Sequence, residues 1–301
     1  MSEVRLIYEP KVYLVGRQEV DEDQVARFLS DEGVADWKSD TDIAAQRLVE
    51  LGSRLCYMSY ARPRPGGNAS HLAHILEVGH GSVLEHAVFN LIITGVSRSC
   101  SHEIVRHRVG ISPSQLSQRF VDESDVAFVV PPELIDEVRA AKLLPPVLVN
   151  RPLGCGEAEG LEWLGSVAKA RQVYSFLADR TFLKIVRRHY PQDGVETVAE
   201  SREWAKRFQG QGSGEIVTRF RKKARETARS VLPEATETKL FLTGNARAFR
   251  HLCEMRGSSA ADAEFRRLAL AILATLQPEA PALFGDYEIQ DGAITTAFRK
   301  V

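Results

Sequence analysis

The segment Ala87–Gly95, AVFNLIITG, restricts the fold of this chain more than any other. It is rich in branched residues, of strand length and flanked by turn residues on one side, so it reads as a core strand. No turn separates it from the following VSRSCSHEIVRHR. There Val96, Cys100 and Ile104 fall four apart and predict an apolar helix stripe, leaving Arg98 and Glu103 on other faces. A core strand feeding such a helix delivers Arg106, His107 and Arg108 at the helix's C-terminal end.

The rest of the chain divides by periodicity and punctuation. A first strand falls at Val4–Tyr8 or Val12–Val15, and the acidic stretch Glu19–Asp42 holds a short helix. From Asp42 the spacing of Ile43, Leu48, Leu51 and Leu55 predicts an amphipathic helix, ended by the Gly/Pro/Asn loop Ala61–Asn68. Ser70 is the expected cap of a second helix that carries Leu72, Ile75 and Leu76 and stops at Gly79. Beyond a Ser/Gln-rich loop come a strand at Val126–Val130, an irregular connection at Pro145–Gly160 and a long helix over Leu161–Tyr190. The polar stretch Gln192–Gly214 reads as an exposed helix with a flexible QGQGSG loop, inserted rather than part of a core. A helix over Glu215–Ser230 ends before Pro233, and a strand follows at Glu237–Thr243. Two helices close the pattern: Ala246–Met255, ended by Gly257, and Ser259–Leu276, capped by Ser258 or Ser259. Strands and helices do not alternate regularly. The expected class is therefore α+β, with a mainly antiparallel sheet packed with helices, as one catalytic domain over 1–301 with a polar insertion at 192–214.

Composition sets limits on function. With 301 residues, 44% hydrophobic and 26% charged, the chain can bury a core and does not have a disordered profile. Its formal net charge of −1 excludes nothing, because local clusters decide partners. Of the 39 basic residues only 10 are lysine, and guanidinium groups suit a bidentate grip on phosphate. The four cysteines, Cys56, Cys100, Cys155 and Cys253, form no CxxC pair, so no zinc ribbon or dithiol redox motif is encoded. No signal-peptide run and no long apolar stretch occurs, so the expectation is a cytoplasmic protein without a membrane partner.

Chemistry concentrates in Arg98–Arg119, where four arginines, two histidines and several Ser and Gln side chains crowd a helix end and the following loop. Cations that dense repel one another unless an anion neutralises them, which suggests a phosphate pocket; a solvated basic face is the competing reading. A nucleic-acid surface is disfavoured because no aromatic other than histidine is interleaved. A second group, His71, His74, His80 and His86 with Glu77 and Glu85, offers an HxxH spacing too weak to assign a metal, and none is assigned. A third cluster comprises Arg219–Arg229 with Asn245, Arg247, Arg250 and Arg256. Part of it is an exposed helix face, while Arg229, where that helix stops, is placed to turn inward. Neither glycine-rich phosphate loop is present, nor the GxSxG nucleophile elbow. Three function classes stay open on residues alone: an enzyme acting on a nucleotide, a nucleotide- or RNA-binding protein without chemistry, and a structural or metal-dependent protein.

The ordered blocks GHGSVLEH (79–86), RHR (106–108), SQLSQR (114–119), ARSVLP (228–233), TGNARAFRH (243–251) and MRGSSAADAEFRRLA (255–269) resemble the flavin-dependent thymidylate synthases. The resemblance runs from about Leu48 to Glu288 and omits Gln192–Gly214. It implies a homotetramer with active sites at subunit interfaces, binding FAD and using methylenetetrahydrofolate and NADPH to methylate C5 of a uridine 5′-monophosphate, UMP or dUMP. By position, His80, Ser82, Glu85, Arg106, His107, Arg108, Asn245, Arg247 and His251 look like the flavin-contacting set. Glu103, Arg106, Gln115, Leu116, Ser117, Gln118, Arg119, Arg229 and Arg256 look like the nucleotide-contacting set. Within it Arg119 and Arg229 would clamp the phosphate, and Arg256 would act catalytically on the uracil carbonyls. None of the four cysteines follows a proline, which agrees with a family that transfers carbon without an enzyme thiolate.

Two departures stand out. Between Arg108 and Ser117 lie eight residues, VGISPSQL, one more than the family pattern, and position 260 is Ala where the family often has His. The added residue implies an altered path for a substrate-contacting loop and a nucleotide pocket able to admit a ribose 2′-hydroxyl. This resembles the UMP/dUMP methylase branch of polyoxin-type nucleoside antibiotic biosynthesis. An ordinary enzyme specific for dUMP is the alternative.

Overall fold

The computed structural model describes residues 4–62, 64–143 and 155–301. In chain order the elements begin with β1 (Leu6–Ile7), β2 (Lys11–Gly16), α1 (Glu22–Asp31), α2 (Ala44–Leu55), α3 (Gly67–Glu77), β3 (Val88–Ser97) and α4 (Arg98–Ile104). They continue with β4 (Ile111–Gln115), β5 (Phe128–Val129), α5 (Ile135–Leu143), α6 (Cys155–His189), α7 (Val198–Gly210) and α8 (Gly214–Ala228). Last come β6 (Glu237–Asn245), α9 (Ala246–Arg256), α10 (Ala263–Leu276), α11 (Pro281–Phe284), β7 (Glu288–Gln290) and β8 (Ala293–Thr295). The class is α+β. Contacts group the chain into two compact units: a sheet unit of residues 9–96, 100–115 and 239–301, and a helical unit of 1–8, 97–99 and 116–238.

The four-stranded sheet has the order β2-β3-β6-β4, with β2 antiparallel to β3 and β4 antiparallel to β6. Strand β3 is the core strand expected from 87–95. Its Phe89, Leu91 and Ile93 alternate onto one buried face. That face shares a core with Leu240 and Leu242 of β6, Phe249 and Leu252 of α9, Phe265 and Leu268 of α10, and Leu72 of α3. Each such side chain contributes about 1.5–3 kcal/mol on burial. Val96 belongs to this strand rather than to the helix stripe, while Cys100 and Ile104 on α4 are buried as their spacing predicts.

Helices α2 and α3 are tied by a buried polar network. Arg54 and Glu50, each 2% exposed, pair at 2.7 Å, and the same carboxylate accepts from Ser39 Oγ at 2.7 Å and Asn68 Nδ2 at 2.8 Å. A buried ion pair is tolerated only with its remaining valences satisfied, as here. The entry to α3 corrects the sequence reading, because Ser70 lies inside the helix and Gly66 precedes its first turn. Gly67 holds φ +66° beside Asp40, whose carboxylate accepts the Asn68 N–H, and a Cβ there would collide with it.

Three further expectations change. Both N-terminal strand candidates are real: β1 pairs with β5 in the helical unit, and β2 with β3 in the sheet unit. Only part of the Ser/Gln-rich stretch is loop, since Ile111–Gln115 forms β4, paired from Ile111↔Gly244 to Gln115↔Leu240. Pro113 is admitted because β4 is an edge strand, where a missing N–H leaves no ladder bond unmade. Helix α10 starts at Ala263, its cap being Asp262, which accepts from Phe265 N at 3.1 Å; neither Ser258 nor Ser259 fills that role.

In the helical unit α6 packs against α5, α7 and α8. The helix over the polar Gln192–Gly214 stretch is not merely exposed. Trp204 of α7 is buried with Phe182 and Phe220, stacks on Phe208 at 4.0 Å and donates its indole N–H to Asp193 at 2.6 Å. One apolar stripe in a polar stretch sufficed to dock it. Much of the irregular connection expected at Pro145–Gly160 lies outside the described residues; α6 begins at Cys155.

Candidate active site

Helix α4 ends as Arg106 and His107 donate their N–H groups to Glu103 and Ile104 carbonyls, and Gly110 then turns the chain into β4 at φ +70°. A Cβ on Gly110 would strike Asn245 and Ala248, so the turn fits only glycine. Arg256, in the last turn of α9, reaches this helix end. Its Nε donates to His107 Nε2 at 3.2 Å, its Nη1 pairs with Glu103 at 2.6 Å, and its guanidinium lies 4.9 Å from the Phe265 ring centre. Because a guanidinium only donates, His107 Nε2 must accept, which places the imidazole proton on Nδ1. Burial first, then the charge of Arg256 and nearby His251, holds His107 below its ordinary pKa. The His251 ring stands 6.2 Å from it. The result is a neutral imidazole steering a fixed cation whose side chain keeps 28% of its surface open.

A second part of the sheet unit holds His80, Ser82 and Arg247, which line a cavity of about 450 Å³ together with Ser53, Tyr57 and His71. Tyr57 stacks on His80 at 6.5 Å and 21°, and Arg247 pairs with Glu85 at 2.7 Å. The histidines do not converge as metal ligands: His71 meets Ser53 Oγ at 2.7 Å and His74 meets Glu77 at 3.4 Å. Among the described residues no group of three or more potential ligands forms. Asn245 caps α9 by accepting from Ala248 N at 2.8 Å.

The nucleotide set is divided. Glu103, Arg106, Gln115 and Arg256 belong to the sheet unit; Leu116, Ser117, Gln118, Arg119 and Arg229 belong to the helical unit. The flavin set lies wholly in the sheet unit. Gln115 donates to Ser101 Oγ at 2.7 Å, and Arg98 reaches the Leu116 carbonyl at 3.5 Å. The Ser117 carbonyl accepts the Phe120 and Val121 N–H groups, Gln118 is buried, and Arg119 pairs with Glu226 of α8. Arg229 does not turn inward. It stays exposed, with Arg98 near enough that burial and then the Arg229 charge, against Glu234 and Glu123, lower the Arg98 pKa. Arg106 and Arg108 are exposed as well.

Part of the cation density is balanced within the fold. Glu103, Glu226 and Glu85 serve Arg256, Arg119 and Arg247 respectively. Glu226 and Phe265 were missed from the sequence; the one signal was a carboxylate one helical turn before Arg229, on a helix whose other charges from Arg219 onward are all basic. Arg250, grouped with the third cluster, is structural, buried against Asp286 and Tyr287. Two thiols are inert: burial raises Cys100, and pushes Cys253 up to about 12. Among the described residues, no helix is long and apolar enough to cross a membrane.

The model of the Thy1 family, thymidylate synthase complementing protein, matches residues 40–282. Flavin-dependent thymidylate synthase from Mycobacterium sp. (strain JLS) is 42% identical over 255 residues, 84% of each chain. That from Mycobacteroides abscessus is 41% identical over 256 residues, also 84% of each. Among solved structures, the UMP/dUMP methylase PolB from Streptomyces cacaoi, bound with 5-Br dUMP, aligns at a TM-score of 0.54. At 18% identity, covering 94% of this chain and 96% of the other, that likeness concerns the fold alone.

Proposed function

This chain belongs to the flavin-dependent thymidylate synthase family, and on that premise we propose that it methylates C5 of uridine 5′-monophosphates, UMP as well as dUMP. The one-carbon donor is methylenetetrahydrofolate, the reductant NADPH and the cofactor FAD. The observation that carries the reading is Arg256, held between Glu103 and His107 at the RHR turn with 28% of its side-chain surface exposed.

The donor set fits a flavin nucleotide. A cation, a hydroxyl and two stacked rings face the cavity of about 450 Å³, from Arg247, Ser82, Tyr57 and His80. These residues, with Glu85, Arg108, Asn245 and His251, would hold it. Bound and reduced, the flavin supplies the hydride that completes the methyl group. Arg256 favours negative charge developing on the uracil carbonyls, and Glu103 and His107 fix its orientation before substrate arrives. Arg119 and Arg229 grip the 5′-phosphate, Ser117 adding a neutral donor, so the phosphate replaces the Glu226 carboxylate as Arg119's partner. A homotetramer with active sites at subunit interfaces is part of the same proposal.

Acceptance of UMP is supported by the position of the added residue. The β4–β6 ladder is unbroken from Ile111 to Gln115, so slack must lie outside it. It fits the turn at Val109, 91% exposed, and Gly110, which follows the RHR side chains directly. The narrower reading, dUMP only, is favoured by the identity to thymidylate synthases. Tritium release from 5-tritiated UMP and dUMP separates the two. Release from both is the expected result, and release from dUMP alone establishes the narrower reading.

A further inference from the structure

The helical unit contains a cavity of about 550 Å³ that no role above uses, walled by α6, α7, α8 and the 122–124 segment. Its charged lining is unbalanced. Arg202, Lys206, Arg221 and Arg225 face it against two carboxylates, Asp122 and Asp179. Asp179 is taken by Arg202 at 2.6 Å and Asp122 by Arg225 at 3.2 Å, while Lys206 meets Glu203 only on the exposed surface. Arg221, half-buried on α8, has no carboxylate partner among the described residues. Ala178, Ala205, Ala224 and buried Phe182 complete its lining.

Two of these cations come from α7, the stretch that the family resemblance leaves out and that Trp204 docks on the unit. We propose that this cavity is a second anion site, distinct from the nucleotide and flavin residues, that takes the phosphoryl group of a small phosphorylated molecule. Three planar guanidinium forks suit a phosphate oxygen set better than a point charge does. Arg221 is the lining cation left without a carboxylate among the described residues, and a phosphate monoester, which carries about −1.5 to −2 at neutral pH, would supply its counter-charge and draw on the forks of Arg202 and Arg225 beside it. The volume is that of a small-molecule pocket of roughly 300–1,000 Å³. The small side chains at 205 and 224 leave room for the apolar body that carries the phosphate.

Pyrophosphate is the probe, titrated calorimetrically into flavin-loaded enzyme already saturated with dUMP, so that the nucleotide residues are occupied. Wild-type protein is expected to bind it saturably. Arg221→Ala should weaken that binding by about tenfold or more. Arg221→Lys should retain most of it, and both variants should keep wild-type dUMP turnover and thermal stability. Arg119→Ala, which bears on the nucleotide reading alone, should leave it unchanged. Absence of saturable binding, equal binding by Arg221→Ala, or tighter binding of citrate than of pyrophosphate overturns the proposal.

Discussion

Arg256 shows how one residue can be both prepared and kept available. Glu103 and His107 take one side of the guanidinium and Phe265 takes another, so little freedom is lost when a substrate docks. Arg256→Ala should therefore lower turnover more than nucleotide affinity, and steady-state kcat and KM for dUMP decide it; an effect confined to KM contradicts an activating role. Arg119→Ala and Arg229→Ala should each weaken nucleotide binding by about 1.5–3 kcal/mol, read by calorimetry, whereas two solvated side chains would show almost no change. His107 carries a pH signature. Its pKa is depressed from 6.5 by burial and by Arg256, so the neutral form is favoured in the fold. The stability it contributes is complete above the unfolded value and is lost as pH falls through the lower folded value. Urea midpoints of His107→Gln should consequently fall less than those of the wild type on going from neutral pH to about pH 5. Parallel loss in the two proteins would place the titration elsewhere. These guanidiniums and histidines were legible as residue types at motif positions. Their carboxylate partners were not, because Glu226 meets Arg119 across 107 residues and no local spacing encodes that pairing.

Elements were legible where period and length agreed. The branched, strand-length run at 87–95 and the long helix near 259–276 were both read from the sequence, and Phe89, Leu91, Ile93, Phe265 and Leu268 line the core. Leu91→Ala should cost about 2–5 kcal/mol in a denaturant titration; a loss below about 1 kcal/mol would mean the sheet face is less tightly packed than described. Strand β4 was illegible for a physical reason. Serine and proline disfavour a central strand, but at an edge only one side of the ladder must be satisfied. The caps were misread because backbone geometry rather than residue type selects the cap: left-handed Gly66 opens α3, and Asp262 rather than Ser258 or Ser259 caps α10. Asn245 was read only for flavin, yet it also holds the first turn of α9. Asn245→Ala should cost about 1 kcal/mol of stability in protein free of flavin, an effect a purely ligand-binding residue would not show.

At the scale of the molecule, the class and the order of motifs could be read from the chain, while its grouping into a sheet unit and a helical unit could not. The grouping depends on segments such as 97–99 and 116–238 that are interleaved with the sheet in sequence, so no linker or composition shift marks the boundary. The proposed chemistry needs no thiol nucleophile. Buried Cys100 and Cys253 are held in the thiol form, and exposed Cys56 donates to its own helix at Gly52. The most direct measurement is mass spectrometry of the nucleotide formed from dUMP with isotope-labelled methylenetetrahydrofolate, FAD and NADPH, using the Cys56→Ser protein. Labelled thymidylate that disappears when FAD or NADPH is withheld is the predicted result. A flavin-loaded protein that yields no labelled methyl group contradicts the account.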